Sequence, residues 1–261
     1  MKKTIGLCIL LILFSSCSFN EYQNKTDKKI ESGNIVLKDI AYNKKLEEAH
    51  SIYIQEDESY EPYLVIDGDY DGGVLLLRKY LLDEGIQYSE EMSHQTFGGY
   101  YPISIIDAYL NTTFLSKFLQ SLQDKILDTT ISVANKETVG SGGWIDETEN
   151  INRKIFILSA TELNIMGSMK ATEGKPLAYY KKRDDLTAQL KSGANDAYWL
   201  RTAYLWDDIQ AWAIGANGDI GGISVSYTLS LRPAFCLDGN TEVVETDEIV
   251  EGRKVYVLKN P

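Results

Sequence analysis

The chain has 261 residues, of which 44% are hydrophobic and 25% are charged. A chain of this length and apolar content can bury a substantial core, which excludes a disordered protein. Its 38 acidic residues outnumber its 26 Lys and Arg residues, so the formal net charge is −12 at pH 7. This balance argues against a nucleic-acid-binding protein and against electrostatic attachment to anionic lipid, because both need clustered positive charge.

The first 16 residues have the three parts of a secretory signal peptide. After a positively charged start, an apolar run extends from Ile5 to Phe14, and two serines then precede Cys17. The apolar run is shorter than the roughly 20 residues that a transmembrane helix needs.

The cysteine directly after two small residues resembles the lipobox of bacterial lipoproteins. Phe14 stands where that family usually has Leu. The resemblance implies that Cys17 is lipidated and becomes the first residue of the mature chain. An ordinary signal peptide that ends near a cysteine is the alternative.

The sequence predicts three segments and a location. Residues 1–16 are predicted to be a lipoprotein signal peptide, residues 17–34 a polar tether, and residues 35–261 a single α+β domain. No other stretch approaches transmembrane length. We therefore expect a protein anchored by its lipid to the extracytoplasmic face of the cell membrane.

Strand signals begin after residue 50. Residues 51–55 and 63–66 are short and rich in β-branched and aromatic side chains, and residues 74–77 are apolar. The Asp- and Gly-rich residues 67–73 lie between the second and third of these runs. This pattern predicts a β-hairpin with a turn over residues 67–73.

Two helices are predicted in the middle of the chain, over residues 104–110 and 113–126. Ser104 can cap the first helix, with Asp107 three residues later, which is close to a capping box. Asn111 marks the break between the two helices. The second helix is predicted from apolar residues at every fourth position, which form one helical face: Phe114, Phe118, Leu122 and Ile126.

A strand over residues 154–158 is predicted to lead into another short helix. Ser159 and Glu162 have the spacing of a capping box at its start, and Gly167 is placed to end it.

The last third of the chain returns to strand signals. Asn217 and Gly218 form a strong hairpin turn signal. Strands are predicted over residues 198–201, 210–214, 225–231, 234–237 and 254–258. Strands at both ends of the chain around a helical middle predict an α+β fold in which the two ends lie in adjoining sheets.

Several segments between Tyr63 and Asp238 resemble an uncharacterised bacterial surface-domain family, a domain of unknown function. Tyr109 stands here for the family's usual Trp, Thr202 for Ser, and Leu231 for Val. The segments that carry the resemblance are YLVI, VLLLRKYLL, SIIDAYLNTTF, KIFILSATEL, YWLRT, ANGDI and SLRPAFCLD.

The order of the closing motifs is also similar to the end of C-type-lectin-like and formylglycine-generating-enzyme-like domains. In those domains a Trp-rich strand and a Gly turn precede a final strand with an Arg. This looser resemblance implies a compact α+β domain with a C-type-lectin-like layout, short helices and irregular loops. Such folds host binding proteins and enzymes alike.

The sequence offers no catalytic residue and no cofactor motif. The oxidase chemistry of the formylglycine-generating group uses a pair of cysteines, whereas Cys236 would be the only cysteine after Cys17. Its apolar neighbours predict a small buried hydrophobic side chain. Neither His50 nor His94 lies in a recognisable motif.

One acidic segment has the spacing of half a calcium loop. Asp67, Asp69 and Asp71 alternate before Gly72, as in the first part of an EF-hand. Arg78 occupies the twelfth position, where a bidentate Glu is needed. We favour a hairpin turn, with a calcium or other hard-cation site as the alternative.

Two arginines lie within apolar strands. Arg201 and Arg232 must each find an acceptor or reach solvent. We favour a structural role, in which each guanidinium binds carboxylates or loop carbonyls. Recognition of an anionic ligand is the alternative.

Two loops carry aromatic residues that are suited to ligand binding. Trp206 is followed by Asp207 and Asp208, and Trp144 ends the glycine-rich run GSGGW. An aromatic ring can stack on the C–H face of a sugar, and carboxylates can accept hydrogen bonds from its hydroxyls. Core packing for Trp212 and a solvated turn for Asp207 and Asp208 are the alternatives.

These observations favour a lipid-anchored extracytoplasmic surface protein that binds glycan or protein without catalysis. Its expected partners are the membrane, through the lipidated N-terminus, and a glycan or an envelope protein. An extracytoplasmic glycan-active enzyme that uses carboxylates is the alternative. A structural envelope component is a third.

Mass spectrometry of the purified full-length gene product tests the lipobox. We expect a mature chain that begins at Cys17 and carries the mass of its acyl groups. A chain that retains Lys2, or that begins after Cys17, would contradict the lipoprotein assignment.

Overall fold

The computed structural model describes residues 35–46, 48–90, 97–182, 185–250 and 252–260. Residues 35–261 form one compact unit. The predicted signal peptide, the tether, Cys17 and His94 lie outside the described residues. In the described ranges, no helix has both the length and the apolar character needed to cross a bilayer.

The fold is mostly β-sheet, with 40% strand and 14% helix. In the described ranges the strands are β1 (Ile35–Val36), β2 (Ser51–Glu56), β3 (Ser59–Tyr70), β4 (Gly73–Arg78), β5 (Ile86–Gln87), β6 (Thr129–Ala134), β7 (Thr148–Arg153), β8 (Ile155–Phe156), β9 (Ala188–Gln189), β10 (Asn195–Asp196), β11 (Tyr198–Ala203), β12 (Gln210–Ile214), β13 (Ile220–Ser224), β14 (Thr228–Leu229), β15 (Ala234–Leu237), β16 (Glu242–Val250) and β17 (Arg253–Leu258).

The helical segments are few and short. The α-helices are α1 (Ile105–Tyr109), α2 (Gln120–Gln123) and α3 (Lys136–Val139). A π-helical turn spans Leu110–Phe114, and 3₁₀ turns span Leu37–Ile40, Tyr101–Ile103, Leu115–Lys117 and Tyr180–Lys182.

The main sheet has eight strands in the order β1-β16-β17-β2-β3-β4-β15-β8. Strands from the two ends of the chain are therefore neighbours in one sheet, where β17 pairs in parallel with β2. Every residue of β4 and β15 is buried. The core surrounds this pair of strands, and Phe235 of β15 packs edge-on against Tyr63 and Phe118.

Four small sheets complete the fold of the described residues. A three-stranded sheet has the order β11-β12-β13, and three two-stranded sheets pair β6 with β7, β9 with β10 and β5 with β14. Gly218, with φ of +86°, lies in the predicted turn between β12 and β13.

The predicted β-hairpin is present, but its turn is shorter than predicted. Strand β3 continues to Tyr70, past two irregularities in its pairing with β4. Only Asp71 and Gly72 form the turn, with φ values of +49° and +81°. Positive φ at both central residues matches the right-handed twist of the strands, which explains the tight connection.

The prediction of one helix over residues 113–126 is wrong. Helical structure runs through Asn111, whose side-chain amide donates to the carbonyls of Asp107 and Ile155 at 3.0 and 2.9 Å. It breaks instead at Phe118, where φ of −84° and ψ of 150° are extended. The face of four apolar residues is nevertheless buried as predicted.

The predicted capping box forms without its helix. The Ser159 amide donates to Glu162 Oε2 at 2.9 Å, and the Glu162 amide donates to Ser159 Oγ at 3.1 Å. The segment makes a single turn that ends at Asn164, where φ is +59°, before Gly167. Its Glu162 carboxylate is engaged by Arg201, which anchors the turn in the core.

The Arg201 guanidinium and the Glu162 carboxylate form a fully buried, two-pronged ion pair. Two nitrogens of Arg201 lie 2.8 and 2.7 Å from the two oxygens of Glu162, and neither residue is exposed. Arg201 also donates to the carbonyls of Ser132 and Ile157, and the Tyr70 hydroxyl donates to Glu162. The pair therefore has several further hydrogen-bond partners, as a buried charge requires.

A second buried carboxylate lies beside this pair. Glu173 accepts hydrogen bonds from the backbone amide of Ala134 at 2.8 Å and from the hydroxyl of Thr202. Burial raises the pKa of the Glu173 carboxyl above its ordinary value, although Arg201 and these hydrogen bonds oppose the shift.

Cys236 is a free, buried cysteine in β15. Burial raises the pKa of its thiol to about 12, so the side chain is a neutral thiol at physiological pH. Its sulfur lies 3.8 Å from the carbonyl oxygen of Tyr70.

Arg201→Met should leave the Glu162 carboxylate buried without its partner and destabilise the protein by about 3–5 kcal/mol. Urea denaturation measures this loss. Adding Glu162→Gln to that variant should recover part of the stability, because the amide oxygen still accepts hydrogen bonds without a charge. The exposed Lys254→Met is the control and should change stability little. A loss below about 1 kcal/mol for Arg201→Met would contradict the role of the pair.

Glu173→Gln should change how stability depends on pH. Because the folded protein raises the pKa of Glu173, its contribution is complete below the ordinary value of 4.5 and is lost as pH rises through the raised value. The free energy of unfolding of the native protein minus that of Glu173→Gln should therefore fall as the pH rises above the ordinary pKa of 4.5. Urea denaturation at a series of pH values measures the difference, and a flat or rising difference would contradict it.

Candidate functional site

Three loops carry large exposed apolar residues, and they meet around Met169. The first loop spans residues 140–147 after α3, the second spans 166–172, and the third spans 204–209 between β11 and β12. The sequence separates them by up to 69 positions, so the fold is what brings them together.

Met169 joins all three loops. Its carbonyl oxygen accepts hydrogen bonds from the Leu205 amide at 3.1 Å and from the Trp212 indole nitrogen at 2.9 Å. A Cβ atom built on Gly143 would lie 3.6 Å from the Met169 sulfur, so the first loop packs against this side chain. The second loop is therefore in contact with both of the others.

Asp146 and Thr172 make a second link between the first two loops. One oxygen of the Asp146 carboxylate accepts the backbone amide of Thr172 at 2.8 Å. The other oxygen accepts the Thr172 hydroxyl at 2.9 Å. Both oxygens of this carboxylate are thus committed to holding the loops together.

The glycine-rich first loop is organised by Ser141. The Ser141 hydroxyl donates to the carbonyl of Thr138 at 2.7 Å and accepts from the amides of Gly143 and Ile145, each at 3.3 Å. Gly142 and Gly143 have φ values of +65° and +89°, which favour glycine. The GSGGW run therefore forms a defined turn that presents Trp144.

Asp207 builds the third loop. Its carboxylate accepts hydrogen bonds from the Ile209 amide at 3.3 Å and from the Gln210 side-chain amide at 2.9 Å. The carbonyl of Asp208 accepts the Gly99 amide at 2.8 Å. These bonds hold the backbone next to Trp206. The Asp207 carboxylate therefore stabilises the loop.

Each of the three loops carries one highly exposed, large apolar side chain. The exposed fractions are 92% for Trp144, 86% for Met166 and 68% for Trp206. We call this set, Trp144, Met166 and Trp206, the loop surface. Exposure of apolar side chains on tied loops is typical of a recognition surface, because water is readily displaced from them.

Trp212, in contrast, belongs to the core. It is 8% exposed and packs edge-on against Tyr204 at 5.6 Å between ring centroids. The alternative of core packing therefore describes Trp212 but not Trp206.

The three acidic residues with calcium-loop spacing, Asp67, Asp69 and Asp71, lie in the β3–β4 hairpin. Asp67 accepts the amide of Asp69 at 2.8 Å, and Asp71 accepts the amide of Thr130 at 2.6 Å, which joins the hairpin to β6. Burial raises the pKa of the Asp67 carboxyl. In the described part of the chain, no group of three or more His, Cys, Asp or Glu side chains is gathered to hold a metal ion.

The two strand arginines both contact protein acceptors. Arg201 binds Glu162 as described above. Arg232 donates to the carbonyls of Arg78 and Lys79 at 3.0 and 3.3 Å, and so holds the chain after β4.

Sequence reasoning missed Met166 and Met169, which complete the site. The segment NIMGSMK has no helical or strand period, so its methionines carried no structural signal.

Comparison with known proteins gives one match, to a family model described as a domain of unknown function (DUF6273), over residues 71–239. No curated protein and no solved structure matched the chain. The matched span contains the Glu162–Arg201 pair and all three loops. The chain therefore belongs to the DUF6273 family, with the domain extending from the β3–β4 turn to just beyond β15.

Proposed function

We propose that this chain is a lipid-anchored, extracytoplasmic binding protein whose loop surface contacts a glycan or an envelope protein without catalysis. The observation that carries the proposal is the exposure of Trp144, Met166 and Trp206 on three loops that are tied to one another.

The construction of the loops favours binding. Hydrogen bonds from Asp146, Ser141 and Asp207 hold the backbone on which the exposed side chains stand. A preformed surface loses less conformational entropy when it binds than a flexible one. An indole face can stack on the C–H side of a sugar or pack into an apolar groove of a protein.

The carboxylates in these loops favour binding over proton transfer. Asp146 and Asp207 each use their oxygens to accept hydrogen bonds from loop amides and side chains. Carboxylates committed in this way stabilise the loops and are poor candidates for the acid and base of a glycoside hydrolase.

The anchor and the lectin-like layout are parts of the same proposal. The support for the anchor is the apolar run before Ser15, Ser16 and Cys17, and display on a tether suits a surface-binding protein. The support for the C-type-lectin-like layout is the three-stranded sheet of β11, β12 and β13, together with the long irregular loops beside it.

The proposal is tested with the full-length protein in a neutral detergent, on a glycan array and in a pull-down from envelope extract. We expect a saturable ligand in one of the two. Trp144→Ala and Trp206→Ala should each weaken that binding about fivefold or more, because a stacked ring is worth roughly 1 kcal/mol. The melting temperature should not change.

Tyr227→Ala is the matched control, since Tyr227 is 62% exposed and lies outside the loop surface. It should leave binding unchanged. Normal binding by both tryptophan variants would refute the loop surface. Turnover of a bound glycan that is lost on replacing one Asp or Glu would show an enzyme instead.

A further inference from the structure

Strand β13 is an edge strand whose outer side is open. It pairs with β12 on one side and is the last strand of the order β11-β12-β13. Its sequence, IGGIS, contains no charged residue. Ile220 and Ile223 are 44% and 37% exposed. An edge strand with exposed apolar side chains and without charge is a template for the addition of another strand.

The hydrogen-bond pattern shows which backbone groups of β13 face outward. The Gly215 amide donates to the Asp219 carbonyl at 2.7 Å, and the Val225 amide donates to the Ile209 carbonyl at 3.0 Å. Because bonding alternates along an antiparallel pair, the odd-numbered residues of β13 bond to β12 and the even-numbered ones face away from it. Among the described residues, nothing accepts a hydrogen bond from the three amides that face away, those of Ile220, Gly222 and Ser224.

Other edge strands of the fold carry charged side chains. Strand β7 has Glu149 and Arg153. The part of β16 that lies beyond its short pairing with β1 has three more charged residues, Glu245, Asp247 and Glu248. Charges along an edge discourage pairing with another chain, because pairing would remove them from water. Strand β13 has no such protection.

The two glycines of β13 have different surroundings on the two faces of the sheet. A Cβ atom on Gly222 would lie 2.4 Å from the Tyr204 ring, so this ring covers one face of the strand. A Cβ atom on Gly221 would have no neighbour within 4 Å in the described part of the chain. Ile223 lies on the same face as Gly221, since side chains alternate along a strand. This face therefore presents an isoleucine next to an open space.

We infer that β13 pairs with β13 of a second copy of this chain, antiparallel and about a two-fold axis at Gly222. In this register Ile223 lies opposite Gly221 of the second copy, and Ile220 lies opposite Ser224. Each isoleucine thus packs against a small residue, and the outward amides and carbonyls of the two strands bond to each other. This interaction surface goes beyond the proposed function and does not depend on the loop surface.

The pairing keeps the acidic residues next to β13 apart. Between residues 211 and 230, only Asp219 is charged. In the proposed register Asp219 lies opposite Val225 of the second copy, so the two Asp219 residues are separated by about 20 Å along the sheet. This separation exceeds the Debye length of about 8 Å at physiological ionic strength, so their repulsion is largely screened.

Sedimentation equilibrium of the full-length protein in a density-matched neutral detergent tests the inference. Two five-residue strands form a smaller interface than the roughly 1,600 Å² of a standard stable complex, so we expect a dimer with a dissociation constant of about 1–100 µM. Ile223→Glu should weaken dimerisation about tenfold or more, because it places a carboxylate at the paired edge. Its melting temperature should change little. Ile249→Glu is the matched control, at a 62% exposed isoleucine of β16, and should leave the dimer unchanged.

Cysteine trapping tests the register. Gly221→Cys combined with Ile223→Cys should give a disulfide-linked dimer under mild oxidation, because the two positions face each other at a pair without hydrogen bonds, where Cβ atoms lie close together. Ile249→Cys should give far less, and the native Cys236 is buried. A monomer up to roughly 300 µM, a dimer that Ile223→Glu leaves intact, equal loss in Ile249→Glu, or no trapping of the double variant would overturn the inference.

Discussion

The buried ion pair between Arg201 and Glu162 constrains the rest of the structure. A guanidinium and a carboxylate that are both removed from water must face each other with every donor and acceptor used, or the fold loses several kcal/mol. Arg201 lies in β11, and Glu162 lies in the turn after β8. The pair therefore fixes the spacing between a strand of the small sheet and the edge of the main sheet.

The same pair also sets the position of the loop surface. The turn that contains Glu162 leads directly into the second loop, and β11 leads directly into the third. Both loops therefore begin within a few residues of the Arg201–Glu162 ion pair. Met169 and Asp146 then extend this rigidity to the first loop. The exposed residues are placed by the core, although they contribute nothing to it.

Local signals in the sequence predicted several strands and turns, because alternation and Asn-Gly or Asp-Gly pairs act within a few residues. The strand predicted over residues 225–231 is wrong, since only Thr228–Leu229 is a strand there. The β12 strand and the turn at Gly218 are examples. The helix over 113–126 failed because Phe118 must turn into the core to meet Phe235, and tertiary contact overrode helical periodicity. Strand β7 was missed because its residues, TENINR, are mostly polar and its alternate positions are exposed.

The candidate site was predictable only in part, because local signals reveal single residues but not the contacts between distant segments. Trp144 and Trp206 stood out as aromatics in polar segments, and both are exposed. Their connection through Met169 is a contact between residues far apart in sequence, and no local pattern encodes it.

The burial of Cys236 makes the reactivity of its thiol depend on whether the chain is folded. In the folded structure the thiol is buried in β15 and its pKa is raised to about 12, so it scarcely forms the thiolate that attacks disulfides and reacts with oxidants. In the unfolded chain this burial is lost, so the pKa of the Cys236 thiol returns to its ordinary value and the sulfur is open to oxidation. Folding therefore protects Cys236 from oxidation and from disulfide cross-linking between unfolded chains.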